Sequence, residues 1–146
     1  MKIELYAKPF NPWDELNRYQ SEHALGGCVG AASVFVGTMR DFSEGDDVSA
    51  MYLEHYPEMT ASYMQKIATE AQQRWEIEDL LMIHRFGDIH PNDTIVLLAA
   101  WSAHREAAFG ACRYLIEELK ARAPFWKKET LLADNSTRWV QGTAKT

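Results

Sequence analysis

Cysteine is scarce in this 146-residue chain: Cys28 and Cys112 stand alone, with no CxxC pair and no Cys/His cluster. That pattern excludes the common structural zinc frameworks. Two distant thiols are not expected to form a disulfide in a reducing compartment, and both are expected as small, buried core residues. The five histidines show no metal-ligand spacing, so no catalytic metal and no other cofactor is expected. Long apolar runs are missing too. None approaches the ~20 residues needed to cross a bilayer, and the opening MKIELYAKPFNPWDE lacks the apolar centre of a signal peptide. A cytoplasmic protein with no membrane partner is expected. Positive charge is also in short supply, with 15 Lys and Arg against 21 Asp and Glu and a formal net charge of −6. A chain so acidic is not expected to bind nucleic acid or anionic membranes, which need a basic footprint.

What is present is ordinary for one globular domain: 47% hydrophobic and 25% charged residues, without repeats or low-complexity tracts. The whole of 1–146 reads as a single domain with a flexible tail at 141–146. Asn11-Pro12, followed by Trp13, Asp14 and Glu15, predicts a short helix to about Tyr19: N-cap, proline at the first position, acids in the first turn. The apolar, β-branched stretch from Val29 to Val36 predicts a buried strand. Residues 41–47 are polar around Gly45 and read as a mobile loop. Loose alternation predicts a strand from Val48 to Tyr56, stopped by Pro57.

Met59, Tyr63, Ile67 and Ala71, four residues apart, predict a helix over 59–75 packed on that stripe. Strands follow over 79–86 and 94–101, separated by a turn at Gly87-Asp88. Ser102 is placed to cap a long helix ending before Pro124, with Ala108, Ala111 or Cys112, Leu115 and Leu119 buried. A short hairpin is expected around Asp134-Asn135-Ser136. The links at 37–48 and 87–94 are too short for helical crossovers. An α+β fold with a mixed, mainly antiparallel sheet and two main helices is therefore expected.

The charge is unevenly placed. Residues 104–138 hold seven Lys and Arg against five Asp and Glu, on a chain otherwise strongly acidic. A local basic site on an acidic protein suits a small anion better than a polyanion. His104 and Arg105 open the long helix, where the dipole and free N–H groups favour an anion such as phosphate. The alternative is an exposed pair bonded to a nearby carboxylate. Lys120 near the helix end is explained equally by the dipole. Lys127 and Lys128 follow Phe125-Trp126, and an ammonium held against aromatic surface loses hydration and becomes a candidate base or nucleophile. Arg40 sits at a strand end facing the polar 41–47 segment, where a solvated role is the alternative. His55 and His84 fall in strand-like runs and read as core or sheet-surface histidines. His104 and Lys120, 16 residues apart, lie about 24 Å apart along a continuous helix at ~1.5 Å per residue. One pocket reaches both only if the helix breaks or two chains combine, as in a two-fold dimer.

Several segments together carry a resemblance: VFVGTMR (34–40), LEHYPEM (53–59), IHRFG (83–87), SAHR (102–105), LKARAPFWKKE (119–129) and RWV (138–140). Over about residues 25–140 the chain resembles the large, catalytic subunit of molybdopterin synthase, while 1–24 match poorly. The resemblance implies an α/β-hammerhead type of α+β fold and a homodimer at the centre of a heterotetramer. The partner it implies is a small ubiquitin-like sulfur-carrier subunit with a C-terminal Gly-Gly thiocarboxylate. The implied reaction moves two sulfurs to cyclic pyranopterin monophosphate, giving molybdopterin for the molybdenum cofactor, with no metal or cofactor on this chain. It places catalytic roles on Lys120 and Lys127 and substrate contacts on Thr38, Met39, Arg40, His104, Arg105, Lys128, Glu129 and Arg138. His104 and Arg105 come from the neighbouring subunit. Many members of that family carry Lys where this chain has Thr38, so one cation is missing here. Two rival functions use the same cations: a transferase acting on another phosphorylated metabolite without a protein partner, and a module that docks an acidic tail through Lys120, Arg122, Lys127 and Lys128.

Overall fold

The two longest apolar runs, DLLMIHR and TIVLLAAWS, become strands β5 (Asp79–Arg85) and β7 (Thr94–Ser102) at the centre of a four-stranded sheet. The computed structural model describes residues 1–23 and 25–140; the expected tail at 141–146 lies outside the described residues. Strand β1 (Lys2–Tyr6) runs parallel to β5, and β2 (Ala31–Thr38) runs antiparallel to β7, giving the order β1-β5-β7-β2. Both faces of this sheet are covered, which is why its central strands read as continuous rather than alternating apolar sequence. Leu80 and Met82 face one core and Leu81 and Ile83 the other.

Helices α2 (Pro57–Arg74) and α3 (Arg105–Arg122) cover the first face. From α3, Ala108, Ala111, Cys112, Leu115 and Leu119 are buried, so both Ala111 and Cys112 belong to the expected stripe. Pro124 follows the C-cap Ala123, which has the extended backbone that a following proline favours. On α2 the expected stripe is out of phase at its start: Thr60 and Met64 are buried beside Ile67, Ala68 and Ala71, while Met59 is half exposed. The helix begins two residues early, with Pro57 in its first turn. Helix α1 (Pro12–Glu22) covers the second face, placing Leu16 and Tyr19 against Leu81, Ile83, Leu97 and Trp101. It starts as expected, with Asn11 Oδ1 accepting from the N–H groups of Trp13 and Asp14, and runs three residues beyond Tyr19.

A second sheet holds β3 (Phe42–Ser43), β4 (Asp46–His55), β8 (Phe125–Leu131) and β9 (Thr137–Val140), with β6 (Gly87–Ile89) also paired to β4. All its pairings are antiparallel. Four local expectations are corrected here. Residues 41–47 form a hairpin rather than a loop, turning at Glu44 and Gly45, whose φ values are 51° and 83°. Gly87-Asp88 opens a strand, because Gly87 at φ 84° lets the chain swing onto β4. Ser102 remains in β7, paired with Ala31, and donates to the Glu76 carbonyl at 2.8 Å; His104 takes the N-cap position of α3. Cys28 is exposed on a 3-10 turn, while Cys112 is buried as expected. The hairpin around Asp134–Ser136 is present, joining β8 to β9.

Candidate active site

A cavity of about 430 Å³ opens where the end of α3 meets β8, the end of β2 and the β3–β4 hairpin. That volume falls in the range of small-molecule sites. Its walls are largely apolar, with Phe35, Met51, Leu53, Ile95, Ile116 and Phe125, and its polar side chains are few: Thr38, Arg40, Ser43, His84, Lys120, Lys127 and Glu129. The sequence brings them together by simple devices. Pro124 ends α3 one residue before β8 begins, so Lys120 in the last helical turn and Lys127 in the strand lie on opposite sides of one sharp corner. Alternation along β8 then sends Lys127 and Glu129 into the cavity and Lys128 to the other face.

Both lysines hold their protons loosely. Burial is the main cause for Lys120, with the charges of Lys127 and Arg40 adding to it, and together they push its pKa down to about 8. Lys127 is lowered by burial and Arg40, opposed by Glu129. An ammonium near 8 can donate a hydrogen bond to a developing oxyanion at neutral pH and can also exchange its proton. Glu129 is buried and accepts from Arg138 Nε at 3.2 Å. Arg138 also donates to Asp46 Oδ2 and to the Ser43 carbonyl, each at 2.9 Å, tying the β3–β4 hairpin to the cavity rim. Arg40 lies over the Phe42 ring at 4.9 Å.

Of the residues singled out from sequence, Lys120, Lys127, Thr38, Met39, Arg40 and Glu129 line this one cavity, and Arg138 reaches it through Glu129. Lys128 does not line it; its ammonium lies 5.7 Å from the centre of the Trp139 ring on the other face of the sheet. His104 and Arg105 are exposed at the opposite end of α3, which is unbroken over its 18 residues. Arg122 points toward α2, where it pairs with Glu70. His84, read from the sequence as a core or sheet-surface histidine, also lines the cavity, its ring stacked on Phe125 with centroids 4.0 Å apart. The segment IHRFG carried no signal for it, since a histidine in an apolar strand reads the same whether it packs or binds.

The family described as MoaE protein matches residues 7–122. The molybdopterin synthase catalytic subunit of Pseudomonas aeruginosa is 46% identical over 142 residues, covering 97% of this chain and 91% of that protein. Among solved structures, the molybdopterin biosynthesis MoaE protein of Burkholderia ambifaria superposes with a TM-score of 0.79 at 38% identity, covering 99% of this chain and 92% of the other. Molybdopterin synthase of Staphylococcus aureus gives 0.83 at 27% identity, covering 95% and 96%. The family match begins at residue 7 and so takes in α1 and its lead-in, upstream of the motifs at 34–40 and beyond. A cationic cavity at the end of α3, and likeness to these proteins along nearly the full chain, place this protein in the MoaE family of molybdopterin synthase catalytic subunits, which serve molybdenum cofactor biosynthesis.

Proposed function

We propose that this chain is a sulfurtransferase that moves two sulfurs from the C-terminal thiocarboxylate of a small ubiquitin-like carrier subunit to cyclic pyranopterin monophosphate. The observation that carries the reading is the convergence of Lys120 and Lys127, both with lowered pKa, on one largely apolar cavity. In each transfer the thiocarboxylate sulfur bonds to a substrate carbon as a C–O bond at that carbon breaks, the oxygen leaving as water or as a phosphate oxygen, and carrier and substrate are joined as a thioester. Water then attacks the thioester carbonyl, an oxyanion forms, and C–S cleavage frees the carrier as a carboxylate with sulfur retained on the substrate. A lysine ammonium beside that carbonyl stabilises the oxyanion, which is worth ~3–4 kcal/mol in such sites. The apolar walls make that charge interaction stronger than it would be in water.

Thr38, Met39, Arg40, Glu129 and Arg138 shape and charge the substrate end of the cavity. His104 and Arg105 contact the substrate phosphate from a second copy of the chain. The unbroken α3 supports this, since its ~1.5 Å rise per residue keeps them about 24 Å from the Lys120 of their own chain. Lys128, on the outer face beside Trp139, is assigned to the carrier rather than to the substrate. A docking module without chemistry is disfavoured by the inward position of Lys120 and Lys127 and by the pairing of Arg122 with Glu70.

A single-turnover assay with thiocarboxylated carrier and cyclic pyranopterin monophosphate tests the proposal by following dithiolene formation. Product dependent on the thiocarboxylate is expected, and Lys120→Ala or Lys127→Ala should each slow it at least roughly a hundredfold. No product with a carrier and substrate competent toward another synthase would reject the reading, as would near-normal turnover in either alanine variant.

A further inference from the structure

His84 is the buried titratable group of the cavity that the scheme above leaves without a task. It sits at the end of β5, only 7% exposed, on a strand hydrogen-bonded to β1 on one side and β7 on the other. Its Nδ1 lies 2.7 Å from the Arg85 carbonyl oxygen. A carbonyl only accepts, so Nδ1 carries the proton, and Nε2 on the opposite side of the ring holds a lone pair. Stacking on Phe125, with 15° between the ring planes, fixes the plane in which that lone pair points. The ring lines the same cavity as both lysines.

The charges around it agree. Burial is the main reason the imidazole stays neutral; the Arg85 carbonyl opposes it, and Lys120, then Lys127, then His55 add to it, leaving a pKa of about 3. The groups facing it are therefore Lys120 from α3, Lys127 from β8 and His55 from β4, with Arg40 and Glu129 acting on the lysines in turn. A carboxylate in this place would pair with a lysine and hold its proton firmly. A neutral acceptor orients an ammonium without adding a negative charge, and so preserves a proton that can still be exchanged.

We propose that His84 is a positioning residue for the catalytic lysines: a neutral imidazole, tied by Nδ1–H to the backbone, whose Nε2 accepts a hydrogen bond from the Lys120 ammonium. Lys120 is the partner because His84 lies on the sheet face of Leu80 and Met82, which α3 covers, and Lys120 in the last turn of α3 lines the same cavity. The role in turnover rests on the sulfur-transfer reading; the hydrogen bond itself does not.

The test separates the two. In protein labelled with 13C-lysine, the Lys120 Cε resonance is assigned by its loss in Lys120→Met and titrated in wild type, His84→Phe and His84→Gln. Phe keeps the stack on Phe125 and removes the acceptor, while Gln can place an oxygen near the position of Nε2. Loss of a hydrogen bond to a charged donor should leave Lys120 with a roughly ten- to hundredfold weaker hold on its proton in His84→Phe. His84→Gln should titrate near wild type. If His84→Phe does not fold, His84→Asn replaces it, since its amide can reach the Arg85 carbonyl and presents nothing at the Nε2 position. An unmoved Lys120 midpoint in a folded Phe or Asn variant overturns the proposal, and so does an equal displacement in Gln and Phe. Turnover is read in parallel: its alkaline limb should move to lower pH in His84→Phe and return in His84→Gln. A displaced Lys120 midpoint with sulfur transfer absent even in wild type would reject the proposed function and leave the hydrogen bond standing.

Discussion

Replacing Lys120 by Met should make the protein more stable while abolishing its chemistry. In the folded chain the Lys120 pKa lies near 8 against an ordinary 10.5, chiefly because the ammonium loses water on burial. Below pH 8 the folded state carries a charge that it holds less well than the unfolded chain does. A displacement of that size corresponds to about 3.4 kcal/mol if fully expressed. Lys120 is only partly buried, and residual hydration screens its charge, so about 1–2 kcal/mol is the expected effect. The sign follows from proton linkage. Between pH 8 and 10.5 the unfolded chain binds the lysine proton and the folded chain does not, so wild-type stability rises with pH through that window. A methionine has no proton to bind and fills similar space. Urea denaturation of both proteins at pH 7, 8.5 and 10.5 should therefore show the variant ahead by the full amount at pH 7. That part of its lead should shrink as pH rises. A lead that is constant with pH would assign the gain to apolar packing alone, and no lead at pH 7 would mean the ammonium is not desolvated as described.

Three further outcomes are expected. If each site combines two chains, mixing His104→Ala with Lys120→Ala subunits should restore turnover that neither variant has alone, because one site of the mixed dimer regains all its groups; failure to complement in a confirmed mixed dimer would refute the shared site. Gly110→Ala should lose about 1–2 kcal/mol by thermal or urea unfolding. Its new Cβ would lie 2.5 Å from Trp75 Nε1, and overpacking against that indole outweighs the ~1 kcal/mol that alanine adds to a helix. Leu115→Ala, at a fully buried position of α3 facing the first core, should cost about 2–5 kcal/mol.

Much of this structure was legible in the sequence wherever one local rule decided it. Asn11-Pro12 set the start of α1, Pro124 the end of α3, and the apolar runs marked β5 and β7 as strands. The rest depended on partners far away in the chain. β1 escaped notice because KIELY is short and acquires its meaning from parallel pairing with β5 nearly 80 residues later. The β3–β4 hairpin was hidden by its polar side chains, although Gly45 was the available sign of a turn. In the site, Lys120 and Lys127 share one cavity, as the resemblance implied, but the strand that completes the helix–proline–strand corner between them was not read from the sequence. Lys128, a substrate contact by the resemblance, lies beside Trp139 on the other face of β8, because alternation along the strand separates it from Lys127. His84 was legible as a core or sheet-surface histidine but not as part of the cavity, since nothing local tells which face of a doubly covered strand will look into open space.

The position of His84 on β5 carries one more consequence, for how the cavity opens. β5 is flanked by strands on both sides and covered by a core on each face, so its amides should exchange with solvent only when the whole domain unfolds. The β3 segment across the cavity is two residues long, pairs with only Asp46 and Asp47, and is held to the rim by Arg138. Its opening costs little of the fold. The floor and the mouth of the site therefore move on separate clocks: the rim opens by local fluctuation, while His84 rests on the slowest part of the molecule.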